Sequence, residues 1–131
     1  MPEPYQGQAS VVSIKTGKFA RTNRINHPRE YQQVFKSSCR SVDERFLVLA
    51  RKNSLKQARL GLAISKKNVN RAASRNQIKR AIRESFRHHK NLLKGLDVVV
   101  VAHKKQTIIN RKIIIESIGA HWKTISQCRK F

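Results

Sequence analysis

The segments RLGLAISKK (59–67), RAASRNQIKRAIRESFRHH (71–89) and LDVVVVA (96–102) decide the fold of this chain. Arg59–Ile64 reads as a strand that runs into a polar, basic turn. Residues 71–87 read as a helix, because at about 100° per residue Ile78, Ala81 and Ile82 gather on one side. Arg75, Lys79, Arg83 and Arg87 follow one another at i+4 and form a basic ridge on the other side, with Asn76 and Arg80 beside it. Gly95 closes the segment after the helix. The β-branched run Leu96–Ala102 lacks alternation, which predicts a strand covered on both faces.

Outward from this unit, Arg45–Ala50 is another strand. A period of two places Phe46, Val48 and Ala50 on one side and Leu47 and Leu49 on the other, so it too should be central. A weaker strand precedes it around Cys39–Val42. His27-Pro28-Arg29-Glu30 marks a helix start, since proline suits the first helical position. Tyr31, Val34 and Phe35 share a face of that helix, which should end near Ser37-Ser38. Ile114, Ile118, Trp122 and Ile125 define an amphipathic helix over about 110–127. The order α-β-β-β-α-β-α predicts an α/β (α+β) two-layer sandwich with one mixed sheet of about four strands. Residues 1–23 read as a flexible extension in which only Val11–Ile14 could pack, and 24–131 as a single domain.

Lys plus Arg number 29 against 7 Asp plus Glu, a formal net charge of +22. Such a charge opposes compaction unless a polyanion neutralises it. Nucleic acid is the obvious polyanion, because cationic side chains release its condensed counterions. No apolar run reaches the length of a membrane span, and the N-terminus shows no signal pattern, so a cytoplasmic protein is expected. Cys39 and Cys128 have no partners at metal-ligand spacing and are expected to be two reduced thiols.

The residues offer little for catalysis. A two-metal nuclease needs clustered carboxylates. Here Glu3, Glu30, Asp43, Glu44, Glu84, Asp97 and Glu116 are scattered. His88-His89 sits at a helix C-terminus, where favourable interaction with the dipole accounts for it. No nucleophile elbow or phosphate-cradling glycine loop is present. Binding is where the chemistry lies. Lys66, Lys67, Arg71, Arg75, Lys79, Arg80, Arg83, Arg87 and Lys90 occupy 66–90 with Glu84 as the one acid. A merely solvated helix face mixes both signs, whereas like charges at i+4 repel and are relieved by phosphates. Arginine forks suit phosphates and base edges, and Asn76 can read a base or brace the backbone. Tyr31 and Phe35 are either core or a stacking platform for unpaired bases.

The run Ser65-Lys66-Lys67, then Ala72-Ala73-Ser74-Arg75-Asn76-Gln77-Ile78-Lys79-Arg80-Ala81-Ile82-Arg83-Glu84-Ser85-Phe86-Arg87, resembles the ribonuclease P protein component family. That family has a Ser-Lys-Lys element after a strand and then a helix bearing Arg-Asn-x-x-Lys-Arg-x-x-Arg-Glu. Tyr31–Lys36, Arg45-Phe46 and Leu96–Ala102 are similar to its first helix, second strand and last strand, so the likeness spans roughly 24–125. Departures are Gln77 for an arginine, Asn70-Arg71 for a Gly-Asn pair and Leu49 for an aromatic. The resemblance implies a left-handed βαβ crossover, where periodicity alone predicts a right-handed one. It implies an endoribonuclease made with a catalytic RNA subunit, which holds Mg²⁺ together with the substrate and cleaves the 5′ leader from precursor tRNA. The protein itself would be non-catalytic, with no cofactor of its own, no membrane and no obligate protein partner. Lys66, Lys67, Arg71, Arg75, Asn76, Lys79, Arg80, Arg83 and Arg87 would face RNA. Tyr31 and Phe35, with Leu47, would line a leader cleft between the first helix and the sheet, and Phe46 would be core. Three rival readings are a ribosomal-type RNA-binding protein, a self-sufficient ribonuclease and a DNA-binding regulator. Membrane-surface binding is disfavoured by the few large apolar residues opposite the basic ridge.

Overall fold

The computed structural model describes residues 23–37, 39–106 and 110–130. The expected extension before Asn23, with its Val11–Ile14 patch, lies outside the described residues. Helix α1 (Pro28–Phe35) opens with Pro28 at its first position, and the His27 N–H reaches Glu30 Oε1 at 3.4 Å. Strands β1 (Cys39–Val42), β2 (Phe46–Lys52) and β3 (Arg59–Ala63) follow. Then come α2 (Ala72–His88), β4 (Leu96–Ala102), α3 (Arg111–Ile125) and a closing 3-10 turn, Ser126–Lys130.

The four strands form one mixed sheet in the order β1-β2-β4-β3. β1 pairs antiparallel with β2, β2 antiparallel with β4, and β3 parallel with β4. The parallel pair needs a crossover, which α2 supplies. Both central strands are the apolar runs expected to be covered on two faces. On one face Phe46, Val48, Ala50, Leu60, Leu62, Val98 and Val100 pack against α2 and α3. On the other, Leu49, Ala63 and Val99 pack with Tyr31 and Val34 of α1 and with Ile25. Sheet and long helices make the two layers, and the short helix occupies part of the second face.

The two long helices lock through an aromatic pair. Phe86 and Trp122 meet edge to face, centroids 5.9 Å apart at 71°. Such geometry sets the positive ring edge on the negative face. Trp122 Nε1 donates to Ser85 Oγ at 2.9 Å, which explains a serine in the buried stripe of α2.

Asn23, read as the end of a flexible extension, is buried, and its Nδ2 donates to the Ala58 carbonyl at 2.9 Å. Arg24 bridges to Leu60, so the chain joins the β3 edge before α1 begins. The expectation of two reduced thiols is also corrected. Cys39 and Cys128 are joined as a disulfide, their Cα atoms 6.1 Å apart across 89 residues. α3 packs on edge strand β1, and the turn after it carries Cys128 into the core beside Cys39. Chain spacing holds no trace of that return.

Tyr31 is fully buried with its ring on Gly61, where an added Cβ would sit 2.7 Å from Cε2 and Cζ. Gly61→Ala is therefore expected to destabilise the fold by about 1–3 kcal/mol, as overpacking does. Denaturant titration checks this, and an unchanged midpoint would show that the ring has room to move.

Candidate nucleic-acid interface

Because β3 and β4 are parallel neighbours, their carboxyl ends lie at the same end of the sheet. The chain leaves β3 into Ser65-Lys66-Lys67 and leaves β4 into His103-Lys104-Lys105, and all four lysines are exposed. Such an end is where ligands of open α/β sheets commonly bind. The two basic loops are stitched together. Asn68 Nδ2 donates to the Ala102 carbonyl at 2.7 Å, and the Gln106 N–H donates to the Asn68 carbonyl at 2.8 Å. Gln106 Nε2 holds the Arg45 carbonyl at 2.9 Å. Lys104 and Lys105 escape a sequence reading centred on the helix, although their place just after an apolar strand is a usable signal.

The basic ridge of α2 is not one exposed stripe. Steps of four residues turn 400°, so the row drifts about 40° per step around the helix. It starts on the flank of the core at Arg75 and reaches the opposite side only at Arg87. Arg71, Asn76 and Arg80 are exposed, Arg75, Arg83 and Arg87 are half-buried, and Lys79 is buried. Arg75 Nη1 donates to the carbonyls of Val69 at 3.0 Å and Asn70 at 3.2 Å, bracing the loop that carries Lys66 and Lys67. Arg87 is held at 3.0 Å by Glu84. Burial, then the charges of Arg83 and Arg75, hold the Lys79 ammonium below its ordinary pKa. Burial, with Arg24 and Arg80 nearby, pushes Arg83 down to about 10. It stays charged at neutral pH, a cation kept among cations.

On the face of α1, Phe35, Leu47 and Val101 are half-buried around the smaller core. Leu47 and Val101 are cross-strand partners. They form an apolar strip beside the helix, at the end of the sheet that bears the lysines. Tyr31, placed by resemblance in the cleft, is wholly buried here, and Phe35 is the aromatic of α1 that keeps an exposed edge. Phe46 lies in the core on the opposite face, as read. Polar contacts fix the helix: Arg59 Nη1 meets Glu30 Oε2 at 3.2 Å, and Arg51 Nη1 donates to Gln33 Oε1 at 2.6 Å.

The described carboxylates that make polar contacts serve structure. Asp97 holds Arg59, Glu84 holds Arg87 and reaches Arg111 at 3.5 Å, and Asp43 anchors a turn. Among the described residues no three His, Cys, Asp or Glu side chains converge as metal ligands. One half-buried cluster, centred on the buried His121, was not legible in the sequence. His121 Nδ1 lies 2.7 Å from Ser41 Oγ, and its Nε2 lies 3.1 Å from Asp43 Oδ2, off the line of a good hydrogen bond. Asp43 Oδ1 accepts the N–H groups of Arg45 and Phe46, both at 2.8 Å, and Oδ2 accepts the Ser117 hydroxyl at 2.5 Å. The His103 ring touches the Asp43 carbonyl at 2.6 Å. The three residue types are those of a hydrolase triad, but the wiring is that of a brace: it binds α3 to β1 and to the β1–β2 turn. Burial would raise the Asp43 pKa. The Ser117 hydroxyl and the two N–H groups outweigh it and hold the carboxyl below its ordinary range.

A mixed sheet whose basic carboxyl end adjoins an apolar strip is suited to binding a nucleic acid. The Ribonuclease P family model matches residues 19–126. The ribonuclease P protein component of Methylococcus capsulatus is 41% identical over 109 residues, covering 83% of this chain and 85% of that one. The solved RNase P protein of Thermotoga maritima superposes with a TM-score of 0.67 at 32% identity, over 76% of this chain and 94% of that one. That of Staphylococcus aureus gives 0.63 at 28%, over 82% and 95%. The chain belongs to the ribonuclease P protein component family, and so to the ribonucleoprotein endoribonuclease that matures tRNA 5′ ends.

Two outcomes follow from this geometry. Burial holds the His121 imidazole below its ordinary 6.5, against the pull of Asp43. A lowered folded-state value means that stability is full above the unfolded-state value and is lost as pH falls from there toward the folded value. His121→Gln should therefore flatten the decline in melting temperature between about pH 7.5 and about pH 5.5. Parallel profiles would remove His121 from that account. Arg75→Ala should raise amide exchange at Val69, whose N–H donates to Ser65 O at 2.9 Å, while exchange in β4 stays slow. Unchanged exchange at Val69 would mean that the loop holds without the brace.

Proposed function

We propose that the carboxyl end of the sheet is the RNA face. Lys66, Lys67, Lys104 and Lys105, with Arg71, Asn76, Arg80 and Arg83 of the adjoining segment, would contact the ribonuclease P RNA and the precursor tRNA. The strip Phe35, Leu47 and Val101 would take unpaired bases of the 5′ leader, with Tyr31 packed beneath it as support. The observation that carries this reading is the meeting of four exposed lysines and a half-buried apolar strip at one end of the sheet. Phosphates release counterions to the lysines, and bases stack on apolar and aromatic side chains. The cleavage step belongs to the RNA subunit, which would hold Mg²⁺ with the substrate. The protein would screen repulsion between two polyanions and lengthen the grip on the substrate. Its working place would be the cytoplasm. No described helix is long and apolar enough to cross a membrane.

Cleavage of precursor tRNA at low Mg²⁺ tests the reading, comparing the protein alone, a bacterial ribonuclease P RNA alone, and the mixture. Cleavage at the mature 5′ end is expected only in the mixture, and high salt or high Mg²⁺ should restore part of the activity of the RNA alone. Cleavage by protein alone would make it a self-sufficient nuclease. Tight RNA binding without cleavage in any tube would favour a structural RNA-binding role.

Replacing Lys66 and Lys67 together by Ala should lower the slope of log affinity against log salt by about 2, roughly one per phosphate contact. Phe35→Ala should cost about 1–3 kcal/mol in binding substrate that carries a leader and nothing in binding leaderless tRNA. Equal losses for both would move the leader elsewhere.

A further inference from the structure

A cavity of about 220 Å³ opens between α2 and α3, lined by Gln77, Arg80, Arg111 and Ile114. Each helix contributes two residues three apart, which are neighbours on one helical face. Ile114 is 2% exposed and forms an apolar floor, while Gln77, Arg80 and Arg111 stand exposed around it. Glu84, one turn on from Arg80, reaches Arg111 at 3.5 Å and part-balances its charge. Among the described residues neither the Gln77 amide nor the Arg80 guanidinium makes a hydrogen bond or an ion pair, so both are available to a ligand.

We infer that this cavity receives an unstacked nucleobase of the bound RNA, with the phosphate of the same nucleotide over Arg80. The inference rests on the RNA-binding reading above and adds a base-reading subsite to it. The floor is apolar, which suits the face of a base. Guanidinium planes stack on bases, and a glutamine amide offers a donor and an acceptor side by side, the pattern that pairs with adenine N7 and N6. The charges favour a neutral planar group over a bare anion. A phosphate drawn to Arg111 would meet the Glu84 carboxylate, whereas a base is indifferent to it. Arg80, which makes no ion pair among the described residues, is left for the backbone.

Nuclear magnetic resonance of the full chain tests the subsite with four probes: adenosine 5′-monophosphate, cytidine 5′-monophosphate, ribose 5-phosphate and inorganic phosphate. The Gln77 side-chain amide and the Ile114 methyl signals should shift with adenosine 5′-monophosphate, less with the cytidine nucleotide, and not with the two probes that lack a base. Gln77→Ala should abolish the Ile114 shift. Equal shifts from ribose 5-phosphate or phosphate would reduce the cavity to an anion site, and no shift at either residue would remove it. In the assembled complex, Gln77→Ala should weaken binding to the ribonuclease P RNA about five- to tenfold with an unchanged salt slope, because a neutral amide releases no counterions. Wild-type protein that fails to bind this RNA would overturn the RNA-binding reading itself. Wild-type binding with no loss in Gln77→Ala would overturn only the base subsite.

Discussion

Asp97, the second residue of strand β4, carries a nearly buried carboxylate that takes Arg59 Nε at 2.7 Å and Nη2 at 2.6 Å, a fork-to-fork pair. Arg59 lies opposite Asp97 in the parallel register, so the pair helps to set β3 against β4. Its third nitrogen reaches Glu30 on α1, and Asn53 Nδ2 adds 2.9 Å to Asp97 Oδ1. The hydrogen bonds that Arg59 donates to Asp97, set against burial, leave the guanidinium held above its ordinary pKa. One carboxylate thus ties together the parallel pair, the first helix and the β2–β3 turn. Removing it would leave a guanidinium in a poorly hydrated place, which is why breaking one side of such a pair costs several times what an exposed pair contributes. The seat of Tyr31 on Gly61 and the uncovered strip beside α1 both depend on where this contact holds the helix.

The second constraint is charge. A formal +22 makes the compact state self-repelling, and the structure adds to this by burying Lys79 and half-burying Arg83 among other cations. A chain selected for stability alone would spread acids through α2. Here Glu84 is the one acid on that helix, and it is shared by Arg87 and Arg111. The repulsion is tolerable in a complex where phosphates supply the missing negative charge. Asn68, Gln106 and Arg75 tie down the basic loops, so on the RNA-face proposal less order would have to be imposed on binding.

The sequence by itself determined the elements and much of the family. Period-two alternation sorted Phe46 from Leu47, the unbroken Val98–Val101 run marked a strand buried on both faces, and Ile114, Ile118, Trp122 and Ile125 marked α3, because burial imprints its period on local sequence. The Arg-Asn-x-x-Lys-Arg helix was legible for the same reason: its residues are neighbours in the chain. Only the tertiary structure decided what depends on contacts between distant segments. It joined Cys39 to Cys128, set His121 against Ser41 and Asp43, sank Tyr31 onto Gly61, and split the basic ridge into exposed and buried cations. It also gathered Lys104 and Lys105 with Lys66 and Lys67. Parallel pairing of β3 with β4 brings their carboxyl ends to one place, and that pairing is a long-range choice that no local period encodes.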